Sequence, residues 1–340
     1  MFKNKKRVPY SVIILGLGIL LVVAIMFSFF LGRYPINPSE LFGILLSRVI
    51  HIKQFWTDQM ATILFNVRMP RILLACLVGC CLSAAGASYQ GIFQNPMAAP
   101  DILGATAGAA FGAALAILHN QNHLMITLYA FVFSLLTVAI VYFISKKAQG
   151  KQVLGLILAG IMVGSLFSAG TSYIKLVADT SNQLPAITYW LMGSLSGATT
   201  TTVAIVLIPM ALGLIPLFFL RLRINVLTLG DDEARTMGIN STRLRIIVIM
   251  CATLVTAASV SVSGMIGWVG LVIPHLSRRL VGNNYKHLMP ATMLFGAIFM
   301  LLVDDVSRNL LQTEIPLGIL TAFIGAPFFV YLITRKEETF

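Results

Sequence analysis

Residues 11–31 read SVIILGLGILLVVAIMFSFFL, twenty-one positions without a charged side chain. A bilayer core about 30 Å thick takes about twenty apolar residues as a helix. Lys3, Lys5, Lys6 and Arg7 stand before the run, which gives it the look of an export signal. Phe29-Phe30-Leu31-Gly32-Arg33 offers no small-residue cleavage site, so the run is expected to remain as a first membrane span. Further apolar runs follow near 71–91, 102–118, 125–144, 153–173, 201–220, 244–262, 265–282, 289–303 and 317–333, the eighth of the ten interrupted by Pro274. Each is expected to be helical, because an open strand cannot satisfy its backbone in hydrocarbon.

The rest of the composition agrees. Of 340 residues 58% are hydrophobic and 11% charged, too little charge to cover a soluble surface. The expected fold is an all-α polytopic membrane protein of about ten transmembrane helices forming one bundle. Ten crossings put both termini on one side, and the charges choose it. With the N-terminus in the cytoplasm, 17 of the 24 Lys and Arg residues fall in cytoplasmic segments and 7 outside, the bias that orients membrane proteins. The net charge of +12 is spread through these short loops, where it meets lipid headgroups and argues against a nucleic-acid partner. Cys76, Cys80, Cys81 and Cys251 lie inside apolar runs without metal-site spacing, and are expected to pack as small hydrophobes. The 15 methionines are scattered, as core packing requires, and no metal site is expected.

Three stretches are too polar or too kinked to be plain spans. At Arg68-Met69-Pro70-Arg71 a helix is expected to begin at Pro70. Cations at a helix start oppose its dipole, so the two arginines are read as forks for an outside carboxylate. Gln90-Gly91-Ile92-Phe93-Gln94-Asn95-Pro96-Met97-Ala98-Ala99-Pro100-Asp101, at the inner end of the same helix, carries two prolines and no cation. Broken backbone at membrane depth belongs against protein or a cavity, which suggests a constriction of a pathway. In the largest cytoplasmic segment, about 221–245, Leu229-Gly230-Asp231-Asp232-Glu233-Ala234-Arg235-Thr236-Met237-Gly238-Ile239-Asn240 predicts a short helix, acids in its first turn and Gly238 at its end. An exposed short helix in a loop-poor protein suggests a docking surface. Gly104, Gly108 and Gly112, and Gly160 with Gly164, have the four-residue spacing that lets helices approach closely.

These stretches resemble the FecCD-type permeases of ABC importers, the group serving iron-siderophores, haem and vitamin B12. The matching residues are Arg68-x-Pro70-Arg71, Gly86 with Gln90, Asn95-Pro96-Met97-Ala98-x-Pro100-Asp101-x-Leu103-Gly104 and Leu158-Ala159-Gly160. They continue with Trp190-x-x-Gly193-Ser194-Leu195, Leu229-Gly230 with Ala234-Arg235-x-x-Gly238-x-Asn240, and Gly264-x-Ile266-Gly267-x-Val269-Gly270-Leu271-x-x-Pro274-His275. Asp304 with Arg308, Glu314-x-Pro316-x-Gly318 and Gly325-Ala326-Pro327 complete the set.

The resemblance implies a single permease domain over 1–340 in the type II importer architecture, ten helices with cytoplasmic termini, in a bacterial inner membrane. It implies a second permease subunit as homodimer, two cytoplasmic ATPase subunits and an extracytoplasmic substrate-binding protein. Arg68, Arg71 and Arg308 would meet acids of the binding protein. Asn95, Pro96 and Met97 would form the cytoplasmic gate, with a second gate element near Lys151–Gly155. Leu229, Gly230, Glu233, Ala234, Arg235, Gly238 and Asn240 would couple to the ATPase. ATP and Mg would be bound by that partner, and this chain would hold no cofactor of its own.

No G-x-x-x-x-G-K-[ST] occurs in the chain, so it has no phosphate cradle and no ATPase site of its own. A secondary transporter would carry charges in mid-helix, and a membrane enzyme a convergent cluster; the sequence offers neither. His275 is expected to be structural, and Asp304 and Asp305 to form an ion pair with Arg308 at the outer mouth. An iron-siderophore complex, moved by alternating access, is the expected cargo. Cobalamin, haem and a molybdate-type oxyanion are the alternatives.

Overall fold

The computed structural model describes residues 9–48, 50, 53–147 and 152–334, and every regular element among them is helical. Helix α1 spans Tyr10–Phe30, and two short helices, α2 (Pro38–Leu46) and α3 (Asp58–Ile63), lead to α4 (Met69–Ile92). Then come α5 (Ala105–Leu118), α6 (His123–Lys147), α7 (Gln152–Val177), the short α8 (Gln183–Met192) and α9 (Thr200–Leu227). The last are α10 (Asp231–Thr236), α11 (Ser241–Ser263), α12 (Val269–Val281), α13 (Tyr285–Asn309) and α14 (Leu317–Thr334).

Each of the ten expected runs holds a helix. Seven of these, counting the continuous stretch Asp58–Ile92 as one, are long and apolar enough to cross a membrane. The other three, α5, α12 and α14, are shorter. At 1.5 Å per residue the 13 residues of α12 reach about 20 Å, short of a whole bilayer core.

Helix α4 is the axis of the bundle, packed against α9, α11, α12 and α13. In its most apolar window 78% of residues are buried, against 22% in α7, whose apolar outer face is left for lipid or another chain. Hydrocarbon gives helices no hydrophobic reason to associate, so small residues must bring backbones into van der Waals contact. Gly79 and Gly86 do this in α4: an added Cβ would land on the carbonyl of Gly296 in α13 or of Gly270 in α12. The predicted glycine ladders act likewise. Gly108 and Gly112 lie against the α6 backbone at Phe133 and Tyr129, and Gly104 against Gly160 and Gly164 of α7.

Three expectations are corrected. Pro70 stands in the first turn of α4, but that helix start is not free, because a π-helical turn, Leu64–Arg68, joins α3 to α4. The wider turn relieves the clash a proline ring makes with the carbonyl four residues back. Arg68 and Arg71 therefore sit at no free helix terminus, and the dipole argument for them lapses. The eighth run starts at Val269 and passes unbroken through Pro274; the irregular part precedes it, with Gly264 and Trp268 at φ 68° and 70°. The short helices α2, α3 and α8 were not expected, being too brief for an apolar run to mark them. His275, in α12, stacks edge-on against Phe328 of α14, centroids 6.3 Å apart.

Candidate functional site

At one end of the bundle the tips of α1, α4 and α13 bring the three arginines together. The Arg71 guanidinium, 8% exposed, donates through Nε and Nη2 to Asp304 at 2.9–3.1 Å. Through Nη1 and Nη2 it also donates to both carboxylate oxygens of Glu314, at 2.7 and 3.0 Å. It is a double fork, the strongest form of charge-assisted hydrogen bonding. Arg308 donates to Asp305 and to the Ser28 hydroxyl, and its Nε stands 3.7 Å from Asp304 Oδ2. The expected Asp304–Arg308 pair is thus the lesser of its contacts. Arg68 donates to the carbonyls of Phe29 and Tyr34. All three guanidinium groups rest on acceptors of their own chain. Asp305 Oδ2 and Arg308 Nε are buried without a hydrogen-bond partner among the described residues. Arg33, exposed, and Glu314 border the same cleft, of about 230 Å³.

At the opposite end α4 finishes in an exposed loop, Gln94–Met97, with Met97 49% exposed. Gln94 takes a left-handed conformation, φ 49°, and its Nε2 donates to the Leu227 carbonyl at the end of α9 (2.7 Å). The Asn95 side chain accepts from the Met97 amide at 2.9 Å and fixes the turn before Ala98 is buried again. Just above, Gln90 accepts from Arg278 at 2.6 Å, and Tyr285 donates to the Ala87 carbonyl at 2.8 Å, tying α4 to α12 and α13.

The short helix α10 has the predicted form: Asp231, Asp232 and Glu233 fill its first turn. Gly238, φ 75°, closes it, with its amide on the Arg235 carbonyl and that of Ile239 on the Ala234 carbonyl, both 2.9 Å. Leu229 is exposed at its start, Gly230 is its N-cap, and Ala234 is fully buried. Asn240 caps α11 by accepting from the Arg243 amide at 2.9 Å.

One residue joins loop and helix. Arg245, 5% exposed, donates through Nη2 to Asp231 at 2.9 Å and through Nε to the Ile92 carbonyl at 3.2 Å. Sequence reasoning counted it only among loop cations. The signal was present: a cation one turn into a helix opposes the dipole, so something buried must hold it there. The second gate element expected near Lys151–Gly155 begins outside the described residues, at Lys151.

The helical bundle thus carries an ionic cluster at one end, and an exposed loop and a short helix at the other. The chain matches the FecCD transport family over residues 20–335 and belongs to it. It is 41% identical, over 97% of each chain, to the molybdate import system permease protein MolB of Haemophilus influenzae. It is 38% identical to a Helicobacter pylori protein assigned as an iron chelatin transport system permease, over 82% of this chain and 85% of that one. Among solved structures it resembles an inward-facing ABC transporter assigned to the metal-chelate type: 40% identity, TM-score 0.85, covering 95% of this chain and 99% of that one. The chain is an ABC importer permease of the metal-chelate type, a multi-pass membrane protein and a transport component.

Proposed function

We propose that two copies of this chain form the path of a binding-protein-dependent importer in a bacterial inner membrane, with ten crossings per copy and cytoplasmic termini. Two ATPase subunits bind its cytoplasmic face and the substrate-binding protein the other. The observation that carries this reading is the Asp231–Arg245–Ile92 link. It joins an exposed helix, suited to grip by a motor protein, to the base of an exposed loop, suited to close a path. In alternating access such a link turns motor strokes into gate movement. Asn95, Pro96 and Met97 form the gate in this reading, and Leu229, Gly230, Glu233, Ala234, Arg235, Gly238 and Asn240 the coupling surface.

Gly238 provides a direct test. A Cβ there meets nothing within 4 Å, so a substitution acts through backbone conformation alone. Gly238→Val is expected to cost about 1–2 kcal/mol locally, enough to unwind six residues of helix. Transport per ATP hydrolysed should fall, whereas Gly238→Asn, which tolerates the left-handed region, should stay near wild type. Equal coupling in all three proteins, reconstituted with their ATPase, would remove α10 from the coupling role.

Docking is assigned to the arginine end. Arg68, Arg71 and Arg308 anchor the surface there, and the two unsatisfied atoms, Asp305 Oδ2 and Arg308 Nε, leave it unsaturated. Incoming carboxylates of the binding protein exchange with Glu314 for Arg71. Glu314→Gln should therefore tighten binding by up to about fivefold, from weakening a contact worth about 1 kcal/mol net. Arg33→Glu should weaken it by at least as much. Binding unchanged in both, by surface plasmon resonance, would move the docking site elsewhere.

The proposed cargo is a ferric siderophore, in keeping with the iron-chelatin assignment of the Helicobacter relative. A molybdate-type oxyanion is the second reading, favoured by the likeness to MolB over 97% of both chains. Titrating the co-purified binding protein with ferric siderophore, molybdate, cobalamin and haem separates them. Concentration of solute by the chain alone, in liposomes with only an ion gradient, would end the importer reading.

A further inference from the structure

Two cavities meet on the flank of the bundle between α6 and α11. One, about 450 Å³, opens at the start of α11 and is lined by Arg235, Ser241, Thr242, Arg243 and Ile246 among others. The second, about 650 Å³, runs on along the helices between Val138, Ala139 and Tyr142 of α6 and Ile246, Met250 and Leu254 of α11. Ile246 lines both, so they form one groove with a basic mouth and an apolar body. Helices α6 and α11 run antiparallel, which brings Lys146 and Lys147, in the last turn of α6, to the same end as Arg243.

We propose that this groove is a specific site for one anionic phospholipid, its phosphate between Arg235 and Arg243 and an acyl chain along Ala139, Met250 and Leu254. The charge complementarity selects the occupant. Arg235 and Arg243 line the mouth, and Asp232 stands 3.9 Å from Arg235 in a pair so exposed that it holds the arginine weakly. A basic pocket between spans that continues into an apolar channel is matched by a molecule with a phosphate head and a hydrocarbon tail. A soluble anion would leave the apolar body of the groove unfilled. A protein segment would need a polar partner for its backbone there, and the lining offers none beyond Tyr142 and Thr253. Arg235 also belongs to the proposed coupling surface, so the site is tested on the chain without its ATPase; it does not depend on the cargo or on the substrate-binding protein.

The test is native mass spectrometry of the full chain in detergent, titrated with phosphatidylglycerol or phosphatidylcholine of identical acyl chains. The wild type should retain one phosphatidylglycerol at least about tenfold more tightly than phosphatidylcholine, from cations each worth a factor of several. Arg235→Gln with Arg243→Gln should abolish that preference and leave phosphatidylcholine binding unchanged. Ala139→Trp, at an exposed position of the groove wall, should weaken both lipids without changing the elution volume of the protein. Equal retention of the two lipids by the wild type, or a preference that survives the arginine pair, would overturn the site. So would displacement of the lipid by millimolar inorganic phosphate, or an Ala139→Trp chain whose only change is loss of an oligomer.

Discussion

Arg71→Met is expected to remove about 3–5 kcal/mol of stability. Removing one partner of a buried ion pair leaves a desolvated charge without compensation. Here that charge is Asp304, fully buried in α13. Its remaining cation is Arg308, whose Nε lies 3.7 Å away. Glu314 would lose the same partner, but its side chain is 27% exposed and can turn to water. The order of effects follows: Arg71→Met worst, Asp304→Asn intermediate because the amide still accepts a hydrogen bond, Glu314→Gln least. Removing charge and counter-charge together, as Arg71→Met with Asp304→Leu, should recover a large part of the loss, since a well-packed apolar pair avoids both desolvations. Thermal unfolding in detergent, followed by a thiol-reactive dye that reaches fully buried Cys81 only on unfolding, reads all four variants. A loss for Arg71→Met no greater than for Glu314→Gln would show that the cluster does not hold α4 to α13.

What the sequence revealed of this cluster, and what it hid, has a physical pattern. Spacing along one helix was legible. Asp304 and Arg308 are one turn apart, and the pairing of an acid with Arg308 was read correctly as to place. The Asp304–Arg308 pair is present at 3.7 Å, but Arg71, arriving from 233 residues away, makes the shorter contacts to Asp304, and nothing local marked it. The three arginines were legible as a set through family resemblance, yet their burial was not, since forks for an outside carboxylate and forks for an inside one have the same residue types. At the other end the short helix α10 was readable to its last residue, because acids in the first turn and a glycine after the last are local signals. The π-helical turn before Met69 left none. Its presence follows from how Pro70 is accommodated, and proline marks helix starts far more often than it follows a π turn. Seven spans were legible from hydropathy alone, whereas the runs at α5, α12 and α14 hold shorter helices.

Arg245→Met should lower transport per ATP hydrolysed by about tenfold to a hundredfold and leave hydrolysis itself within about twofold. A hydrogen bond from a charged donor contributes about 1.5–3 kcal/mol, and Arg245 makes two, to Asp231 at 2.9 Å and to Ile92 at 3.2 Å. The first ends on α10, the second on the last residue of α4 before the exposed loop proposed as the gate. If motor strokes reach the gate through this side chain, its loss leaves α10 free to move with the ATPase while the loop stays behind. Asp231→Asn keeps an acceptor for the guanidinium and loses the charge, so it should fall between the two. Arg245→Lys retains the charge but offers no second fork, and should uncouple nearly as much as methionine. The ratio of the two rates is the informative quantity, because a residue that only stabilises the bundle lowers both together. Reconstituted transporter assayed for ATP turnover and solute entry in the same vesicles gives that ratio. Parallel loss of the two activities in Arg245→Met would assign Arg245 to stability and leave the gate without a lever.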